Sequence, residues 1–160
     1  MEQLAEELIP HKIASVFIYT HEAHPGENYP HHTSFEQKLR HARAFRDTFE
    51  VNRPILVDSL DGACHRAYGS MPNMSWIIDR VGRPLYKADW TDTGSVRSAV
   101  QELLGMVEYR RRDRLVLSPF RVERLEYRAS DRQAFIKGLE RAGPKAVTEY
   151  LAQIERWRNS

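Results

Sequence analysis

Ile13-Ala14-Ser15-Val16-Phe17-Ile18-Tyr19-Thr20 is the stretch on which the fold turns. Six of its eight residues are β-branched or aromatic and none is charged, so it reads as a strand buried on both faces. On its N-terminal side, Leu4, Ala5, Leu8 and Ile9 recur at helical spacing, which makes 2–9 a short helix. On its C-terminal side, His21 to Thr33 holds the turn formers Pro25, Gly26, Asn28 and Pro30 and reads as a loop.

Farther out, Ser34 with Gln37 forms a capping box for a helix that runs to about Phe49 on Leu39, Ala42 and Phe45. A short strand, Ile55 to Asp58, follows Pro54, and Asp61 to Tyr68 is a short helix. Ser75 to Asp79 and Pro84 to Ala88 are two strands joined by Arg80-Val81-Gly82-Arg83, a β-hairpin. Thr93 opens a helix with Val96, Val100, Leu103 and Leu104 inward and Gly105 as its expected stop. Beyond it lie a basic run from Met106 to Arg114 and an apolar link from Leu115 to Phe120 ending at Pro119. A second capping box follows, Ser130 with Gln133, and Pro144 opens the last helix, to about Trp157. Leu139, Val147, Tyr150, Leu151 and Ile154 are apolar at helical spacing, so 130–157 should form a helical hairpin. Strand–helix–strand segments imply parallel pairing and the hairpin adds antiparallel strands, giving an α/β mixed sheet with flanking helices. The expected organisation is an α/β domain over 1–104 and a helical extension over 105–160.

Composition narrows the function. The 160 residues suffice for one domain with a core, and 29% charged residues suit solvated helices. No run approaches eighteen apolar residues, so no membrane span is expected. Residues 1–10 lack the basic start and apolar run of a signal peptide, and Cys64 is the sole cysteine, so no internal disulfide can form and a cytoplasmic location is expected. The net charge of +2 is uneven: 1–105 carry 11 basic and 14 acidic residues, 106–160 carry 13 and 8. Signs alternate at helical spacing in the basic half. Arg110, Arg111, Arg112 and Arg114 with Tyr109 form a cluster too short and too flanked by acids to imply nucleic acid.

Tyr19-Thr20-His21-Glu22-Ala23-His24-Pro25 resembles the Tyr-Ile-Glu-Glu-Ala-His-Pro signature of the iodothyronine deiodinases, a thioredoxin-fold family. Further matches follow in order: His32-Thr33-Ser34-Phe35-Glu36, Val57-Asp58-Ser59-Leu60, Ala67-Tyr68-Gly69, Trp76-Ile77-Ile78 and Leu85-Tyr86. The likeness covers roughly 3–104. It implies a thioredoxin-like fold and reductive removal of iodine from a small aromatic substrate, with a thiol reductant and no bound cofactor or metal. In that family a selenocysteine or cysteine attacks iodine and a thiol then reduces the resulting iodide adduct. That nucleophile sits between a first strand and the helix that corresponds to 2–9, so this sequence starts after it and is expected to be inactive as written. His21 replaces the first Glu of the signature. Asn73 stands where the family has a Glu and thioredoxins have a cis-proline, with Pro72 one residue early.

The resemblance marks His24 and His32 as hydrogen-bonding and proton-donating partners, Glu22 as their orienting carboxylate, and His21 and Asn73 as substrate contacts. Imidazole titrates near neutrality and a carboxylate can fix its tautomer, so the chemistry is coherent. Cys64 lies away from the nucleophile position and reads as a small apolar residue. Two alternatives stand beside the redox reading: a non-catalytic thioredoxin-fold binding module, and a metal protein. For the latter, His21, His24, His31, His32 and His41 fall within 21 residues near Glu22 and Glu36, although no pair has HExxH or CxxC spacing. The thioredoxin fold also places a central strand between the strands equivalent to 13–20 and 75–79. Its absence is expected to be met by a start upstream of Met1, by direct pairing of those two strands, or by a second copy in a homodimer.

Overall fold

The structure is a computed structural model that describes residues 1–69, 71–113, 120–124 and 131–159, with Arg111 and Asp113 described by backbone alone. It is mixed α/β and divides into two compact units, each discontinuous in sequence: Met1–Ala14 with Gly69–Arg128, and Ser15–Tyr68 with Ala129–Ser160. Residues 1–104 and 105–160 each contribute to both units.

In the first unit, α1 (Glu2–Leu8) ends in a single 3-10 turn closed by Lys12 in the left-handed region. β3 (Ser75–Ile78) and β4 (Pro84–Ala88) form the expected antiparallel hairpin, with Ile77 opposite Tyr86. Asp79 builds its turn: Oδ1 accepts the amides of Val81 and Arg83 at 2.9 Å each, and Gly82 takes the positive φ of +86°. A third strand, β5 (Arg121–Glu123), lies parallel to β4. It falls where no strand is expected from the sequence, because Arg-Val-Glu carries only one β-former. Its pairing is fixed from the other side: the fully buried Tyr86 donates its hydroxyl to Glu123 at 2.7 Å. The core joins Leu4 and Leu8 of α1 to Tyr86 and Ala88 of β4 and to Val96, Ala99 and Val100 of α4 (Thr93–Asp113). Asp92 caps α4 by accepting the Ser95 amide at 2.7 Å. The helix does not stop at Gly105; it continues to Asp113. A glycine ends a helix only when its backbone turns left-handed, and inside one it costs about 1 kcal/mol, which neighbouring turns absorb. The link from Leu115 to Pro119 lies outside the described residues.

In the second unit, β1 (Phe17–Tyr19) pairs in parallel with β2 (Ile55–Val57), Ile18 opposite Leu56. β1 is shorter than the expected 13–20, and it is half-buried rather than buried on both faces: Tyr19 is buried while Ile18 and Leu56 are exposed. The shortening begins at Ile13, whose amide closes the turn after α1 on Leu8 and whose side chain packs in the first unit's core. Between β1 and β2 runs α2 (Phe35–Thr48), capped by Ser34, which accepts the Gln37 amide at 3.1 Å. Gln37 reaches back to the Thr33 amide at 2.8 Å, one residue before the cap. α3 (Ala63–Tyr68) is headed by buried Asp58, which accepts the amides of Cys64 and His65 at 2.9 Å each. Among the described residues each unit has its own small sheet, β1 with β2 in the second and β3, β4 and β5 in the first.

The C-terminal hairpin, α5 (Arg132–Ala142) and α6 (Pro144–Arg158), belongs to this second unit. Asp131 caps α5, accepting the amides of Gln133 and Ala134; Ser130 of the expected capping box lies outside the described residues. The hairpin is stitched to the loop after β1. The Asn28 amide donates to the Ala142 carbonyl at 2.9 Å and its side chain to the Arg141 carbonyl at 3.0 Å. Glu27 accepts the Lys145 amide at 3.1 Å, so a residue from far upstream caps α6. Gly26 is there because nothing larger fits: a β-carbon would lie 2.2 Å from the Ala142 carbonyl oxygen. Gly26→Ala should therefore destabilise the protein by about 1–3 kcal/mol and speed tryptic cleavage at Arg141 and Lys145. Cleavage at the parent rate would show the contact to be slack.

Candidate functional site

The second unit brings a carboxylate and two imidazoles to one point. β1 ends at Tyr19, and three residues later the chain turns so that Glu22 lies under the Tyr19 hydroxyl, which donates to Glu22 Oε1. His32 comes from the end of the following loop, and His41 from the second turn of α2. His41 lies on the inward stripe of α2 with Lys38, Ala42 and Phe45, three or four residues apart. His32 Nε2 is 3.6 Å and His41 Nδ1 3.5 Å from Glu22 Oε1. Tyr19 and Tyr29 wall the cluster, the Tyr19 ring 5.8 Å from His32 and the Tyr29 ring 5.2 Å edge-on to His41. Both imidazoles are largely withdrawn from water, the His32 side chain to 5% exposure and that of His41 to 11%. Burial first, and then the neighbouring His41, push His32 down to about 4. It is neutral at pH 7, and its Nε2 and His41 Nδ1 are buried without a hydrogen-bond partner among the described residues. The Tyr19 hydroxyl is pushed up by burial and by the carboxylate it faces, and so stays a donor.

No family model, curated protein or solved structure matches this chain.

Of the residues marked in the sequence, Glu22 and His32 meet. His24 packs elsewhere: its ring stands edge-on to Phe135 at 5.6 Å and to Tyr150 at 5.9 Å, on the C-terminal hairpin. Burial lowers its pKa, and it serves as an aromatic contact there. His21 lies 4.7 Å from the His65 ring. Asn73, in the other unit, offers its backbone carbonyl to the Thr91 hydroxyl at 3.2 Å. His31 and Glu36 are exposed and outside the cluster. Arg112 stacks over Tyr109 at 5.2 Å, whereas the Arg111 side chain and Arg114 lie outside the described residues. No helix among the described residues is long and apolar enough to cross a membrane.

His41 belongs to no signature and is offered by the sequence only as one of five histidines within 21 residues. Its signal is a titratable residue on the apolar stripe of an amphipathic helix, one turn from a buried lysine. The Cys64 thiol is held above its ordinary pKa by burial and by Asp58, so it is a poor source of thiolate.

Proposed function

We propose that this chain is a deiodinase-like, thioredoxin-fold module that binds a small aromatic molecule beside Glu22 and His32 and does not itself perform the thiol step. The observation that supports the reading is the meeting of Glu22 and His32 at 3.6 Å: the resemblance pairs these two residues across ten positions of sequence, and the fold closes that distance. Beside them, Tyr19 fixes the carboxylate and Tyr29 supplies an aromatic wall. A neutral His32 suits hydrogen bonding to a phenol better than storing a proton, because an imidazole lowered to about 4 carries almost none at pH 7. Imidazole and carboxylate can move protons, but neither accepts iodine, and Cys64 is disfavoured as a thiolate.

Purified 1–160 should bind an iodothyronine saturably, by tryptophan quenching, and Glu22→Gln should weaken binding about 10-fold, the size of one lost charged hydrogen bond. Iodide release with a thiol reductant should stay at background, and Cys64→Ser should change nothing. Robust thiol-dependent release abolished by Cys64→Ser would overturn the non-catalytic reading. Absence of iodothyronine binding would overturn the deiodinase-like one.

A further inference from the structure

The cluster of Glu22, His32 and His41 has a second property that no proton-handling role accounts for. Its nitrogens and oxygen are close but not bonded. The separations of 3.5 and 3.6 Å from Glu22 Oε1 lie beyond the 2.7–3.2 Å range of an N–H···O bond. Yet His32 Nε2 and His41 Nδ1 are buried and have no hydrogen-bond partner among the described residues, a condition that native structures rarely leave unexplained. A small ion resolves both facts. Zinc bonds to imidazole nitrogen and carboxylate oxygen run about 2.0–2.2 Å, so the edges of a tetrahedron around it are about 3.3–3.6 Å. The two edges measured to Glu22 fall at the upper end of that span, and all three candidate ligand atoms lie within 4.8 Å of one another.

We propose that Glu22, His32 and His41 bind a single zinc ion, with water in the fourth position. This goes beyond the deiodinase-like reading and does not depend on it. The donor set is the one zinc prefers in sites with three protein ligands, neutral imidazole and carboxylate. The Tyr19 hydroxyl on Glu22 orients the carboxylate, as partners of metal ligands commonly do. The ligands come from three separate places, the turn after β1, the end of the loop and α2, spaced ten and nine residues apart. No short metal motif could therefore have announced them.

The test is titration of the full chain, freed of metal, with zinc alone. One zinc per chain is expected by calorimetry and elemental analysis. His41→Gln and Glu22→Gln should abolish the stoichiometric site, Tyr19→Phe should weaken it about 10-fold or more, and a His21→Gln/His31→Gln double variant, which removes histidines outside the cluster, should bind as the parent does. Cobalt(II) provides a readout free of substitutions, since the unaltered protein should show the intense visible bands of a tetrahedral ion. No zinc uptake, uptake lost only in the His21/His31 variant, or a weak octahedral cobalt spectrum would each overturn the proposal.

Discussion

Lys38→Met should lower the unfolding free energy by about 2–4 kcal/mol, among the larger single-site effects expected in this protein. Lys38 is 1% exposed on the inward face of α2, an unusual place for an ammonium. Its Nζ donates to the Ser59 carbonyl at 2.8 Å and faces Asp58, which is also buried. Burial lowers the Lys38 pKa and the two aspartates Asp58 and Asp61 pull it back up. Asp58 shows the converse balance. Burial pushes its carboxyl up, but the His65 and Cys64 amides and the Lys38 ammonium outweigh it and hold it below the usual carboxylate range. Methionine fills the lysine's space without the charge, leaving the Ser59 carbonyl without that donor and Asp58 without its cation. The cost should appear as a lower urea midpoint with the slope unchanged. Lys38→Met/Asp58→Asn should cost less than the two single changes together, because both remove the same interaction. A loss under about 0.5 kcal/mol, the level of an ordinary surface change, would show that the buried ammonium is dispensable.

The second large effect is of pH. In the metal-free protein, stability should fall by about 2 kcal/mol between pH 7.5 and pH 5. The sign follows from His32. Its pKa is about 4 in the folded chain and about 6.5 in the unfolded one, so the unfolded state takes up the proton first. The full contribution is present above the unfolded value and is lost as pH falls from about 6.5 toward 4. Glu22 and His41 stand against His32, and His41, Lys38, His21 and His31 disfavour its charged form by their own charge; His21 and His24, also lowered by burial, add in the same direction. Urea midpoints measured with a chelator at several pH values check this. His32→Gln should flatten the profile over that range, and an equally steep profile in the variant would assign the titration elsewhere.

Most elements were legible because their signals are local. Ser34 and Gln37 announce α2, the Asp79–Gly82 turn is written into the hairpin, and Pro144 at a first helical position marks α6. What escaped depends on distant partners. β5 exists because Tyr86 seeks a carboxylate at Glu123, across 37 positions. Gly105 looks like a stop, but the helix that contains it is already committed by Val96, Ala99 and Val100 in the core. The site divides the same way. Glu22 and His32 could be picked out from the signature that carries them, whereas His24, a neighbour of Glu22 in that signature, is drawn away by Phe135 and Tyr150, more than a hundred residues on. His41 joins only because α2 turns that face inward.

The bonds from Glu27 and Asn28 to residues 141–145 also bear on how this protein is made. They span 113 and 118 positions, and they fasten the loop that lies between Glu22 and His32. During synthesis the N-terminal part of a chain is available to fold long before its end exists. Here β1, α2 and β2 can assemble early, but the loop's anchor points leave the ribosome more than a hundred residues after the loop itself. Until they emerge, the nascent polypeptide carries a histidine-rich loop without those bonds. The site should therefore mature only after residues 141–145 emerge, and a chain cut short before Arg141 would possess every residue of the cluster and lack the clasp that sets them.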